Sequence, residues 1–156
     1  MDAANEVLAQ LFEGAPRFVA RLAAEPVESW SGLLDRAESI ALNMPEDEQL
    51  ELLDAHPRIG ASPADVSAMS FREQGYDRDP GTTELQARLD RLNSEYEQGN
   101  GFRFVIFVNG RSRAEIADVL ERHLGAEREE EKRRALLDVV AIARHRLANL
   151  GNQARH

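Results

Sequence analysis

Apolar residues recur along this chain at intervals of three and four, the spacing that lines one face of an α-helix. In residues 3–13, Val7, Leu8, Leu11 and Phe12 fall at that spacing, with Asp2 placed to cap the helix and Gly14 to stop it before Pro16 starts a short second one. From Ser29 to Asn43, Trp30, Leu33, Leu34, Ala37, Ile40 and Ala41 form one broad apolar face, closed by Asn43 and Pro45. Pro45 also suits the first turn of the next helix, PEDEQLELLDA, whose early acids complement the positive end of the helix dipole. That helix delivers His56 at its C-terminal end. Further on, ELQARLDRLNSEYEQ places Leu85, Leu89, Leu92 and Tyr96 on one stripe, and Gly99 and Gly101 stop it. Ser112 and Glu115 have capping-box spacing for a helix to His123, which Gly125 ends. The last helix, about Glu127 to Leu150, has Leu136, Val140, Ala143, Leu147 and Leu150 as its core stripe. Arg144 and Arg146 lie on opposite flanks of that stripe, and either can point inward.

Two stretches break the helical rhythm. His56 to Gln74, HPRIGASPADVSAMSFREQ, is interrupted by Pro57, Gly60 and Pro63, and its interleaved Ile59, Val66, Met69 and Phe71 point to a loop that is packed down. Phe102 to Val108, FRFVIFV, is β-branched and aromatic enough to read as a strand, yet nothing else in the chain reads as its partner. It is therefore expected to be a buried extended segment whose backbone groups bond helix ends or a ligand. The fold expected is all-α, a single-domain helical bundle over residues 1–150 with one buried extended segment at about 102–108 and a loose tail at 151–156.

Composition narrows the function. The chain has 156 residues, enough for one core without staples, and 28 acidic against 19 basic residues give a net charge of -9. That charge argues against nucleic acid or an anionic membrane as partner, so attraction for an anionic substrate must be local, from a buried Arg or His. With no cysteine there is no disulfide framework, thiolate nucleophile or Cys-ligated metal. No apolar run approaches the ~18 residues of a membrane span. The N-terminus lacks the basic start and cleavage site of a signal peptide, and a cytoplasmic protein is the expectation.

The irregular stretch after His56 holds an imidazole, hydroxyls, a carboxylate and a carboxamide, the composition of a small acid/base site. A neutral imidazole of ordinary pKa about 6.5 suits proton transfer near neutrality, although a histidine ending a helix also commonly bonds the last carbonyls. Ser70 and Glu73 can equally be a capping box, whose free amides could face an anion. Gln74 and Asn109 could give neutral hydrogen bonds to a polar heterocycle. None of the four histidines pairs with another at helical spacing, and no carboxylates surround them at ligand spacing, so no metal site is expected.

Four motifs in order, HPRIG at 56–60, S-x-x-E-Q at 70–74, GFRFVIFVNGRSRAEI from Gly101, and IARHRLANL near the end, resemble the family of OHCU decarboxylases. These act on 2-oxo-4-hydroxy-4-carboxy-5-ureidoimidazoline in the breakdown of urate to (S)-allantoin. The spacer between His56 and Ser70 is shorter than is usual in that family, and Asn109 stands where many relatives have a basic residue. The resemblance implies an all-helical, cofactor-free enzyme, commonly a homodimer, acting on a small anionic heterocycle. It implies that His56 is the catalytic proton donor, that Pro57 sets its loop, and that Glu73 and Arg146 complete the catalytic set. By the same resemblance Ser70, Phe71, Arg72 and Gln74 line the substrate, and Val105, Ile106, Phe107, Val108 and Asn109 meet it mainly through backbone. Glu73 is expected to raise the His56 pKa and keep imidazolium available. The alternatives are a non-catalytic helical binding or regulatory module of the same fold, and a lyase on a related ureido-imidazoline.

Overall fold

Proline, serine and glycine signals set most of the helix boundaries. A computed structural model describes residues 2–24, 29–56, 59 and 83–154. Among them are seven helices: α1 Asp2–Leu11, α2 Pro16–Ala23, α3 Trp30–Asn43, α4 Glu46–Asp54, α5 Thr83–Asn100, α6 Arg113–His123 and α7 Arg128–Ala154. The described residues contain no strand, and the architecture is all-helical. No described helix is long and apolar enough to cross a membrane. The residues fall into two units, one drawn from Met1–His56 and Arg133–His156, the other from Pro57–Lys132.

In the first unit the chain reverses between α1 and α2 at Gly14, whose φ of +80° favours glycine and whose added Cβ would come within 3.1 Å of the Ala55 side chain. Phe12 and Phe18 meet edge to face across that turn, 4.8 Å between ring centroids. Ser29 caps α3 by accepting the Gly32 N–H at 3.0 Å. Leu33, Leu34, Ala37 and Ala41 are buried as the apolar face requires, whereas Trp30 and Ile40 at its border are half-buried. Buried Gln49 donates to the Ala41 carbonyl at 2.9 Å near the end of α3. The acids opening α4 do more than face its dipole: Asp47 and Glu51 pair with Arg17, and Glu48 with Arg21, tying α2 to α4. Leu136, Val140 and Ala143 of α7 are buried, with Ala135, Val139 and Ile142 widening the stripe and Leu147 at its half-buried edge.

In the second unit α5 packs on α6, Leu89, Leu92 and Ile116 are buried, and the capping box of Ser112 with Glu115 is present as the spacing requires. Residues 102–108 belong to neither helix nor strand and are largely buried. Phe102 and Phe104 both meet Tyr96 edge to face, and Arg128 stacks over Phe102 while donating to the Asn100 carbonyl at 2.8 Å. Behind these rings, buried Glu131 accepts from the Tyr96 hydroxyl at 2.8 Å and from His123 Nδ1–H at 2.9 Å. A carboxylate in this setting is stabilised by its donors, since unbonded it would carry the full cost of leaving water.

Four boundary expectations are corrected. Asp2 is already helical, and Pro45 precedes α4 as its cap instead of filling its first turn. Gly99 lies inside α5; the helix ends only at Gly101, whose φ of +80° and bond to the Glu97 carbonyl make a left-handed C-terminal cap. A helical glycine costs only about 1 kcal/mol, which flanking turns offset, so glycine alone does not stop a helix. For the same reason α7 passes Gly151 and runs four residues beyond the expected end at Leu150.

Tyr96→Phe removes a donor from buried Glu131 at constant ring packing, and unfolding in urea should show a loss of about 1–3 kcal/mol. A variant as stable as the parent would mean that this bond adds nothing to the fold.

Candidate active site

Helix α4 is anchored by Leu52 and Leu53, both fully buried, and its last turn folds the next side chain back over the helix end. His56 donates its backbone N–H to the Leu53 carbonyl at 3.1 Å, and its Nδ1 lies 3.1 Å from the Leu52 carbonyl. A carbonyl only accepts, so Nδ1 carries the hydrogen and Nε2 the lone pair of the neutral ring. The helix-end contact and the candidate catalytic side chain are therefore one and the same. The imidazole is 8% exposed.

That burial, and secondarily the positive charge of Arg146, push the His56 pKa down to about 4. This corrects the expectation of a raised pKa. An imidazolium here would lose its hydration and face a cation, and the carbonyls of Leu52 and Leu53 oppose the shift without overcoming it. At neutral pH the imidazole of His56 is therefore held in its neutral form.

Of the two arginines flanking the α7 stripe, Arg146 turns inward. It is 2% exposed, and Nη1 donates to the carbonyls of Gln10 and Leu11 at the end of α1, both at 3.3 Å. Its contact with Glu13 is long, 3.5 Å, and Glu13 is about a third exposed. Arg144 is instead half-exposed and paired with Asp35 at 2.7 Å. The flank of Arg146 thus faces the C-terminal end of a helix, where carbonyls attract a cation.

In the second unit, Val105, Ile106 and Val108 of the extended segment are buried, Phe107 is half-buried and Asn109 is exposed. Asn109 stands in a tight turn at φ +50°. Pro57, Ser70, Phe71, Arg72, Glu73 and Gln74 lie outside the described residues. Ile59, in the same loop, is buried, and its carbonyl accepts from Asn93 Nδ2 at 2.9 Å. Asn93 was not singled out by the sequence reading, although a carboxamide one turn from both Leu89 and Tyr96 on a buried stripe is a signal of its own. Its Nδ2 also bonds the Leu89 carbonyl, while its buried Oδ1 has no partner. Among the described residues no group of three or more His, Asp or Glu is placed to hold a metal ion.

Fold and side chains together define a helical protein with a buried imidazole held neutral by burial and by the charge of a buried arginine. The sequence profile of the OHCU decarboxylase family matches residues 1–148, and the chain belongs to that family. It is similar to the uric acid degradation bifunctional protein PucL of Bacillus subtilis (strain 168), 33% identical over 94% of this chain but only 30% of that protein. It is also similar to a 2-oxo-4-hydroxy-4-carboxy-5-ureidoimidazoline decarboxylase of Haloferax volcanii, 27% identical over 94% of this chain and 88% of that one. The chain thus spans under a third of the bifunctional relative and most of the single-activity one. In fold it matches the crystal structure of an OHCU decarboxylase in the presence of (S)-allantoin, with a TM-score of 0.72 at 22% identity over 91% of this chain and 95% of that one. A crystal structure of (S)-allantoin synthase gives a TM-score of 0.69 at 23% identity, over 93% of this chain and 48% of the other.

The depressed His56 pKa fixes how stability depends on pH. Between about 4 and 6.5 the unfolded chain binds a proton at His56 that the native protein does not, so this contribution is complete above 6.5 and is lost as pH falls toward 4. From pH 7 to pH 5 the parent should lose about 2 kcal/mol more than His56→Asn in urea unfolding. Equal losses in the two proteins would show that the imidazole is not held neutral.

Proposed function

We propose that this chain is a carboxy-lyase converting 2-oxo-4-hydroxy-4-carboxy-5-ureidoimidazoline to (S)-allantoin and CO2 in urate breakdown, without a cofactor. The observation that carries the reading is a buried, neutral His56 under the field of Arg146 in a chain of the OHCU decarboxylase family. On this reading the protein works as a cytoplasmic homodimer on a small anionic heterocycle, with no nucleic-acid partner.

The substrate carboxylate sits on a ring carbon next to a C=N bond. When the bond to CO2 breaks, its electron pair becomes a ring C=C bond, and the former imine nitrogen takes one proton. The carbon that lost CO2 keeps its hydroxyl, so the immediate product is an enol. Its hydroxyl proton then moves to the neighbouring ring carbon, and the oxygen becomes a carbonyl of allantoin. One proton has replaced one CO2.

His56 carries the second transfer. Its Nε2 accepts the hydroxyl proton, and the imidazolium returns it to one face of the ring, which sets the configuration of the product. Arg146 pairs with the substrate carboxylate, and while paired its charge is offset and the imidazole becomes more basic. Departure of CO2 restores the repulsion between guanidinium and imidazolium and drives the proton onto carbon. The family's proton donor is thus a base first and an acid second. Glu73 orients the imidazole or the ureido group, Pro57 sets the loop, and Ser70, Phe71, Arg72 and Gln74 line the substrate. Val105 to Asn109 meet it chiefly through backbone.

His56→Asn should lower stereospecific product formation at least about a hundredfold while leaving the thermal midpoint at pH 7 nearly unchanged. The assay follows circular dichroism of allantoin from freshly generated substrate, with spontaneous decay subtracted; turnover at the parent rate would end the catalytic assignment. Arg146→Lys, which cannot reproduce the planar fork, should raise KM about tenfold or more. Unchanged steady-state parameters would remove Arg146 from the substrate.

A further inference from the structure

Residues 102–108 belong to no helix and pair with no strand among the described residues, so their backbone carbonyls need donors from elsewhere. At the end of this run the Arg111 side chain supplies two such donors. Arg111 donates Nη2–H to the Phe107 carbonyl at 2.7 Å and Nε–H to the Val108 carbonyl at 3.1 Å. Its backbone N–H reaches the same Val108 oxygen at 3.1 Å. The side chain can fold back because Asn109 and Gly110, at φ +50° and +78°, reverse the chain with both central residues left-handed. This is the type I′ geometry for which Asn-Gly is the preferred pair.

The consequence is a change in what the segment offers a ligand. Both lone pairs of the Val108 oxygen are engaged, and the Phe107 oxygen is bonded to a cation. Arg111 itself is half-buried and forms no ion pair with a carboxylate among the described residues, so its charge is not cancelled there. Without the guanidinium, two carbonyl dipoles would present partial negative charge at this end of the segment. With it, the end presents N–H groups and a positive field.

We infer that Arg111 is a positioning residue: by holding the Phe107 and Val108 carbonyls, it makes residues 105–109 select hydrogen-bond acceptors, such as the ring carbonyl or carboxylate of an anionic heterocycle. The inference rests on the decarboxylase reading above, in which these residues meet the substrate. Arg111 acts through the backbone and takes no part in bond making. A lysine keeps the charge but cannot bridge two consecutive carbonyls in one plane.

The test uses the full-length protein and the variants Arg111→Lys and Arg111→Gln, read in two ways. In steady-state kinetics each should raise KM about tenfold with kcat within about twofold, because binding is weakened and the chemical step is not. In the ligand-free protein, the carbonyl carbon resonances of Phe107 and Val108 should move toward their unbonded positions while those in α6 stay. An unchanged KM in a folded variant, or a fall in kcat at constant KM, would overturn the inference, as would unmoved carbonyl resonances. Were the parent protein inactive on this substrate, the decarboxylase reading would fall by itself, and the resonances would still decide whether Arg111 holds the two carbonyls.

Discussion

The hydrogen bond from His56 Nδ1 to the Leu52 carbonyl is the constraint on which the candidate chemistry depends. Because the acceptor is a carbonyl, the ring has one tautomer, and because the ring is buried beside Arg146 it has one charge state near neutrality. A histidine on a mobile surface loop would have neither restriction. Here the ring is tied to the last turn of α4, and that turn is held by Leu52 and Leu53 in the core. The rigidity of the helix becomes the orientation of Nε2, so packing in the core sets the direction in which that nitrogen points.

Much of this arrangement was legible in the sequence, and the remainder was not for identifiable reasons. The position of His56 at a helix end followed from the apolar spacing of α4 and from Pro57 after it. The capping reading and the catalytic reading of that residue looked like rivals, yet a single contact serves both. The direction of its pKa shift was misjudged because it is set first by burial and then by the charge of Arg146, remote in sequence, and local spacing carries no information about either. The choice between Arg144 and Arg146 was equally closed to periodicity, since the two flank the stripe symmetrically. It was made by their partners: Asp35 holds one at the surface, and the carbonyl end of α1 draws the other inward.

The extended segment shows how an all-helical protein accommodates a stretch of strand-forming residues. Its start is fixed by side-chain packing, with Phe102 and Phe104 against Tyr96 and Arg128, backed by the Tyr96–Glu131–His123 hydrogen bonds. Its end is fixed through the backbone, by the Asn109–Gly110 turn and Arg111. Propensity identified the residues that would be extended but not the groups that would stand in for a neighbouring strand. At the end of the segment one such group is the Arg111 side chain, and its effect depends on a turn geometry seen in the φ angles of Asn109 and Gly110.

Arg146 and Arg111 share a feature that ties these observations together. A guanidinium held by a close carboxylate is largely neutralised, and an anion approaching it gains little. A guanidinium held by carbonyls is fixed in place by dipoles and keeps its net charge. Arg146 donates to the carbonyls of Gln10 and Leu11 and makes a long contact with Glu13, and Arg111 lies on the carbonyls of Phe107 and Val108. In a chain whose overall charge repels anions, attraction for an anionic ligand would have to come from local fields of this kind. The neutral state of His56 comes first from its burial, and the Arg146 charge anchored at the end of α1 acts in the same direction.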